Sequence, residues 1–222
     1  MLQRMDHYIE EWQGADDHRQ IFLACYRMMT ERMMAAIEAG SFMDREWVLK
    51  LLNHFGDYYF NALECYDCGR TTPLVWQQVH QITREEKLHR LQYLILGVNA
   101  HINYDLVFTL YDMLEPEWAS LSDVDRKIRY EDHCMVNEII ANTIDKVQDE
   151  ILEPSDRIMA LIDRLFGRLD EYLLSRLIRK WRREVWENTQ LMLAATDPSQ
   201  KEALRKSIEE EVMHRGRLFI AL

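Results

Sequence analysis

Turn-forming residues are scarce in this 222-residue sequence, which contains only seven glycines and four prolines. Because glycine and proline form most of the tight turns between β-strands, their scarcity favours long helices with few joints. The sequence also has few cysteines, which are Cys25, Cys65, Cys68 and Cys134. Four cysteines are sparse for a disulfide scaffold. The pair Cys65-x-x-Cys68 has no second C-x-x-C pair to complete a zinc site, and it does not follow a predicted strand as a redox motif of the thioredoxin type would. We expect reduced thiols.

Basic residues are in deficit, with 27 Lys and Arg against 38 Asp and Glu, for a formal net charge of −11. Such a surface disfavours nonspecific binding to nucleic acids, which requires basic patches. The first 13 residues carry Arg4, Asp6 and Glu10 and have no apolar stretch of the kind found in a signal peptide. We therefore expect a cytoplasmic protein with neither a nucleic-acid nor a membrane partner. Its oligomeric state is left open.

Hydrophobic residues recur with helical periodicity along the whole chain. The pattern predicts an all-α fold of about seven to nine helices in an orthogonal or bundle-like array around a buried central helix. No linker rich in proline, glycine or serine divides the chain, so residues 1–222 are expected to form one domain. The predicted helices run from Asp16-Asp17 to Gly40, Asp44 to Gly69, Thr72-Pro73 to about 84, about 88 to 113, Ser122 to about Leu152, Ser155-Asp156 to Gly167, 170 to 195, and Gln200 to about Leu218.

The central helix is the most apolar part of the sequence, yet it carries two polar stripes. Its apolar length would just span a bilayer, but polar groups would then lie near the membrane midplane, where they are costly. A buried helix inside a soluble protein is the better interpretation. His101 and Asp105 share one face through their i, i+4 spacing, and Asn99 and Asn103 lie about opposite. At least one stripe should be buried and hydrogen-bonded.

The run Asn99-Ala100-His101-Ile102-Asn103-x-Asp105-Leu106 resembles the signature of an uncharacterised, mainly bacterial domain-of-unknown-function family. The family usually has proline after the Asp-Leu pair, where this chain has Val107. The resemblance implies an all-helical single domain and an important role for residues 99 to 105, and it implies no activity. It extends over further runs of the chain, which are Tyr26-Arg27-Met28-Met29-Thr30, Phe42-Met43-Asp44, Tyr59-Phe60-Asn61-Ala62, Trp76, Asp132 with Val136-Asn137, and Trp181-Arg182 with Trp186.

The two His/Asp pairs of the sequence have the spacing of metal ligands. His101 and Asp105 could join His54 and Asp57, an i, i+3 pair, on the helix predicted from Asp44 to Gly69. Nitrogen and carboxylate ligands suit a divalent metal such as zinc, and an open coordination position would lower the pKa of a bound water. The arrangement would loosely resemble helical zinc phospholipases and nucleases. A third helix could add further ligands, namely His133 or the pair Glu210 and His214.

Two other interpretations of these residues stay open. His101 and Asp105 could form a buried hydrogen-bond network that fixes helix packing, or a catalytic dyad without a metal. Ligand-contacting candidates are Asn99, Asn103, His133 and Arg182, of which Arg182 could reach an acidic ligand or Asp105, or form a surface salt bridge. The leading hypothesis is an internal polar pocket at His101 and Asp105, with metal-dependent hydrolysis as one use of it. The alternative is a non-enzymatic protein for binding small molecules or partners, with a structural polar network.

Overall fold

The computed structural model describes residues 1–151 and 169–221, with side chains placed for 1–143 and 174–221. The described ranges contain helices and no strand, which confirms the predicted all-α class. The helices are α1 (Leu2–Gly14), α2 (Arg19–Glu38), α3 (Arg45–Asp67), α4 (Leu74–Glu85), α5 (Arg90–Ala100), α6 (Leu106–Leu114), α7 (Asp123–Ile151), α8 (Leu169–Ala194) and α9 (Pro198–Ile220).

The predicted helix ends within the described ranges lie within about two residues of the observed ones, and α1 has no predicted counterpart. The Asp44 carboxylate accepts a hydrogen bond from the Trp47 backbone and caps α3. Gly40 and Gly69 adopt positive φ angles of 74° and 64° just beyond α2 and α3, a conformation that favours glycine. The predicted cap at Thr72 is wrong: its hydroxyl donates to the Arg70 carbonyl, and α4 begins one residue later than expected. The predicted helix from Ser155-Asp156 to Gly167 lies outside the described residues.

The central helix is continuous from α5 to α6 but changes its geometry in the middle. His101–Asp105 forms a π-helical segment, in which the Leu106 amide donates to the His101 carbonyl five residues earlier. Single π-helical turns inside α-helices are rare and occur frequently at functional sites. No helix of the described ranges is long and apolar enough to span a membrane.

Five helices surround this central helix: α2, α3, α4, α8 and α9 pack against its successive parts. Leu96, Ala100 and Leu110 on the central helix are at most 1% exposed, as expected of a helix enclosed on all sides. The α7 helix packs outside this shell, against α2 and α8. The prediction of a buried central helix within a helical array is confirmed.

The start of α3 is held by hydrogen bonds to α7. The Asp132 carboxylate accepts hydrogen bonds from the backbone amides of Met43 and Asp44, at 2.7 and 2.8 Å. The Arg129 guanidinium donates to the Asp44 carboxylate at 2.6 Å. These contacts hold the capping residue of α3 in place.

Gly97 allows α2 to approach the central helix closely. A Cβ at Gly97 would lie 2.3 Å from Cγ of Phe22, a buried ring that has no room to retreat. Gly216 in α9 also faces the central helix, but a Cβ there would meet its nearest neighbour, the Leu96 side chain, at an ordinary 3.5 Å. Glycine is therefore sterically required at position 97 and not at position 216, so the two positions can be compared by the same substitution.

We expect Gly97→Ala to lower the free energy of unfolding by about 1–3 kcal/mol, because the added methyl overpacks the contact with Phe22. Gly216→Ala should stabilise the protein by about 0.5–1 kcal/mol, since alanine is the better helix former. Urea unfolding of both variants measures the difference. Equal stability of the two variants would contradict this assignment of close packing at Gly97.

Candidate functional site

The centre of the protein contains a carboxylate held by two nitrogen donors. Asp105 is 1% exposed and accepts hydrogen bonds from the Trp76 indole nitrogen at 2.9 and 3.0 Å, one to each oxygen. His101 Nδ1 lies 2.9 Å from Asp105 Oδ2. Trp76 belongs to α4, so these bonds also join α4 to the central helix. A buried carboxylate is tolerated only when its oxygens are hydrogen-bonded in this way.

The carboxylate determines which nitrogen of His101 carries the proton. Burial lowers the pKa of His101, and the hydrogen bond and negative charge of Asp105 oppose that shift. Burial likewise raises the pKa of Asp105, against the hydrogen bonds from His101 and Trp76. The imidazole is therefore neutral at neutral pH and donates through Nδ1, which leaves the lone pair on Nε2.

Aromatic rings enclose the imidazole. Phe55 stacks on it with ring centroids 3.7 Å apart and planes 10° from parallel, and Tyr26 meets it at 4.2 Å with tilted planes. Three further rings lie within 6.4 Å. We call the five rings the aromatic cage: Phe22, Tyr26, Phe55, Tyr59 and Trp76.

Two polar atoms in this region have no hydrogen-bond partner among the described residues: His101 Nε2 and the Tyr26 hydroxyl. Each is shielded from solvent, and a buried polar group without a partner costs about 1–3 kcal/mol. One is an acceptor and the other a donor. Such groups are candidates for contact with a ligand or substrate.

The second polar stripe of the central helix makes structural contacts. Asn99 donates through its side-chain amide to the Val212 carbonyl of α9 at 2.9 Å, and Asn103 donates to the Asn99 side chain at 3.0 Å. Both are buried, so both stripes are enclosed. Asn99 uses its polar atoms to hold α9 against the central helix.

The structure does not bring the four predicted metal ligands together. His54 pairs with Asp112 at 3.2 Å near the surface, and Asp57 is exposed. It is Phe55, between them in α3, that faces His101. Within the described ranges, no three His, Cys, Asp or Glu side chains are grouped so that they could hold a metal ion, which corrects the four-ligand expectation. Of the proposed third-helix ligands, His133 is buried elsewhere, and Glu210 and His214 are exposed.

His133 and Arg182 join α7 to α8, apart from the cage. The Arg182 guanidinium donates to the His133 carbonyl at 2.7 Å and to the Asn137 side chain at 3.0 Å, and His133 Nε2 donates to the Arg182 carbonyl at 2.9 Å. Burial lowers the pKa of Arg182 to about 10, so it stays charged at neutral pH. The expected contact with Asp105 or a surface salt bridge does not form: Arg182 is 5% exposed and pairs with no carboxylate of the described chain.

The family comparison covers the whole chain and adds no activity. The model of a family of unknown function, DUF5995, matches residues 1–222. The chain belongs to DUF5995. Neither the curated proteins nor the solved structures contain a match.

The site of this DUF5995 member includes five aromatic residues for which the sequence predicts no role. Tyr26, Tyr59 and Trp76 belong to the runs that carry the family resemblance, and Phe22 and Phe55 do not. The runs quoted around the first three were a usable signal, because they come from three different helices and converge on His101. Nothing in the sequence pattern singles out Phe55.

A second buried histidine lies behind the cage. His80 stacks on Trp76, with centroids 5.3 Å apart, and neither ring nitrogen has a partner among the residues described. Burial lowers the pKa of His80 to about 3. The folded state therefore binds this proton less readily than the unfolded state, whose histidine titrates near 6.5. The free energy of unfolding therefore keeps its full value above pH 6.5 and falls as the pH is lowered toward 3, because the unfolded state gains the proton first.

His80→Phe should remove about 1.4 kcal/mol per pH unit from the dependence of unfolding free energy on pH between pH 6 and 4.5. Phenylalanine keeps the stacking on Trp76 and does not titrate. Urea unfolding of the wild type and of His80→Phe across this range measures the slope of unfolding free energy against pH for each protein. The two proteins should have equal m-values for the comparison to hold. An unchanged slope would show that His80 is not held neutral in the folded protein.

Proposed function

We propose that this protein carries a metal-independent general-base site, in which His101 Nε2 accepts a proton from a small substrate or from a water that attacks it. The observation that supports it is the free lone pair of a buried imidazole whose other nitrogen is hydrogen-bonded to a carboxylate. A carboxylate in this position fixes the tautomer and stabilises the imidazolium that forms on proton transfer.

The aromatic cage assists the same step. When Nε2 takes up a proton, the ring becomes a cation that lies face to face with Phe55 at 3.7 Å and beside the Asp105 carboxylate. Both contacts are more favourable for the cation than for the neutral ring. In ester hydrolysis, water would lose its proton to Nε2 as its oxygen bonds to the carbonyl carbon. The imidazolium would then return a proton to the departing alkoxide oxygen.

The alternative function is a non-enzymatic binding or interaction protein in which the polar residues fix helix packing. It is supported by the second stripe, because Asn99 binds the α9 backbone and Asn103 binds Asn99. His101 is also 4% exposed, so a substrate would need the cage to open. Activity measurements on matched histidine variants separate the two functions.

We expect the protein, treated with a chelator, to hydrolyse p-nitrophenyl acetate, and His101→Gln to reduce kcat/KM by about 100-fold or more, the usual contribution of a general base. His54→Gln is the matched control, since it alters the other His/Asp pair, which lies near the surface. It should retain wild-type activity.

Two results would contradict the general-base site. One is His101→Gln with wild-type activity in a folded protein. The other is activity that is lost on chelation and restored by zinc. That result would indicate a catalytic metal bound by residues other than the four predicted ligands. Thermal unfolding of each variant confirms that the comparison is made between folded proteins.

A further inference from the structure

The Tyr26 hydroxyl is a buried donor that the general-base step leaves unused. Tyr26 belongs to α2, and its hydroxyl has no partner within the described part of the chain. Burial, together with the negative charge of Asp105, raises the pKa of Tyr26 well above its ordinary value. The phenol therefore stays protonated. The nearby Thr30 hydroxyl, which donates to the Tyr26 backbone carbonyl at 2.8 Å, opposes this rise in the Tyr26 pKa only in part.

The donor of Tyr26 and the acceptor of His101 lie against the same turn of α3. Phe55 stacks on His101, and a Cβ at the next residue, Gly56, would lie 3.5 Å from the Tyr26 hydroxyl oxygen. The two rings are 4.2 Å apart between centroids. Because the two rings are in contact, one small molecule that reaches either group can contact both.

A displaceable side chain lies beside this donor. The same Cβ at Gly56 would lie 2.7 Å from Met1 Cε and 3.0 Å from Met1 Sδ, so the thioether occupies the room that glycine leaves next to the hydroxyl. Met1 is only partly buried. Methionine is flexible and adapts to irregular surfaces, and its thioether can move aside at low cost. A ligand that reaches the Tyr26 hydroxyl from this side would therefore have to displace the Met1 thioether.

The charge of the site restricts what can bind. The cage already encloses the Asp105 carboxylate, so a second buried negative charge would be repelled and desolvated without compensation. The carboxylate is engaged by Trp76 and His101, which leaves it poorly placed to neutralise a cation. The aromatic walls favour a planar, largely apolar molecule. An uncharged ligand fits these conditions.

We propose that Tyr26 and His101 together bind a small uncharged carbonyl compound of the primary amide type. Tyr26 donates to its carbonyl oxygen, and His101 Nε2 accepts from its N–H. This assignment rests on the proposed function, since it requires the lone pair on Nε2. An ester has no N–H to occupy Nε2, so in ester hydrolysis Nε2 would stay available to the attacking water while the Tyr26 hydroxyl stabilises the negative charge that develops on the carbonyl oxygen.

Benzamide and acetophenone provide a matched pair of probes, because only benzamide has the N–H that His101 would accept. Both should bind, and benzamide should bind about tenfold more tightly, which is the worth of one well-made hydrogen bond. Titration calorimetry measures the affinities. The ¹⁵N chemical shift of His101 Nε2 should move on addition of benzamide and stay nearly unchanged with acetophenone.

Tyr26→Phe should weaken the binding of both probes about tenfold, since both use the carbonyl contact. The melting temperature of the free variant should stay equal or rise, because the deleted hydroxyl has no hydrogen-bond partner among the described residues. The control is Tyr58→Phe, on α3, whose hydroxyl donates to Asp112 at 2.6 Å. It should leave the affinities unchanged and lower the melting temperature slightly.

The outcomes separate this inference from the function on which it rests. If benzamide moves the His101 signal but Tyr26→Phe binds it as well as the wild type does, the role of Tyr26 is wrong and the general base stands. If His101 proves to carry its proton on Nε2, both are wrong. No binding of either probe at millimolar concentration would overturn the proposed ligand class.

Discussion

The arrangement of the centre of this protein depends on the buried Asp105 carboxylate. A negative charge at 1% exposure must be offset by donors, and the fold provides them from two helices, Trp76 on α4 and His101 on the same turn. These bonds fix the position of α4 against the central helix and the tautomer of the imidazole. The aromatic cage suits this arrangement, since the Asp105 oxygens and His101 Nδ1 are already hydrogen-bonded and ring faces can pack around them. Within this network, the lone pair of His101 Nε2 has no hydrogen-bond partner among the described residues.

The π-helical turn lies at the same residues as the network. His101–Asp105 forms the widened turn, and the His101 side chain reaches the Asp105 carboxylate across it. A widened turn changes the angular positions of the residues that follow relative to those that precede it. Extrapolation of regular helical periodicity through residues 99 to 110 therefore places individual side chains only approximately. It still separated the His/Asp stripe from the Asn stripe, because each stripe is held by i, i+4 contacts of its own.

Within a helix, the sequence predicted the site well; between helices, it did not. The spacing of His101 and Asp105 sets their contact, so that pair was predictable. Neighbouring residues of a helix point about 100° apart. Once Phe55 turns toward His101, His54 and Asp57 must face outward, and no spacing rule says which residue of α3 turns inward. The runs that carried the family resemblance were more informative across helices: Met43 and Asp44 bind Asp132, Asn137 binds Arg182, and three of the runs supply rings to the cage.

The proposed general base requires His101 to be a neutral imidazole protonated on Nδ1, with its lone pair on Nε2. A long-range ¹H–¹⁵N correlation spectrum of protein labelled with ¹⁵N-histidine reports both nitrogens of each ring directly, with His101→Gln identifying the signal. At pH 7 we expect a proton-bearing Nδ1 and an unprotonated Nε2 for His101. A proton on Nε2, in either the other neutral tautomer or an imidazolium, would contradict it.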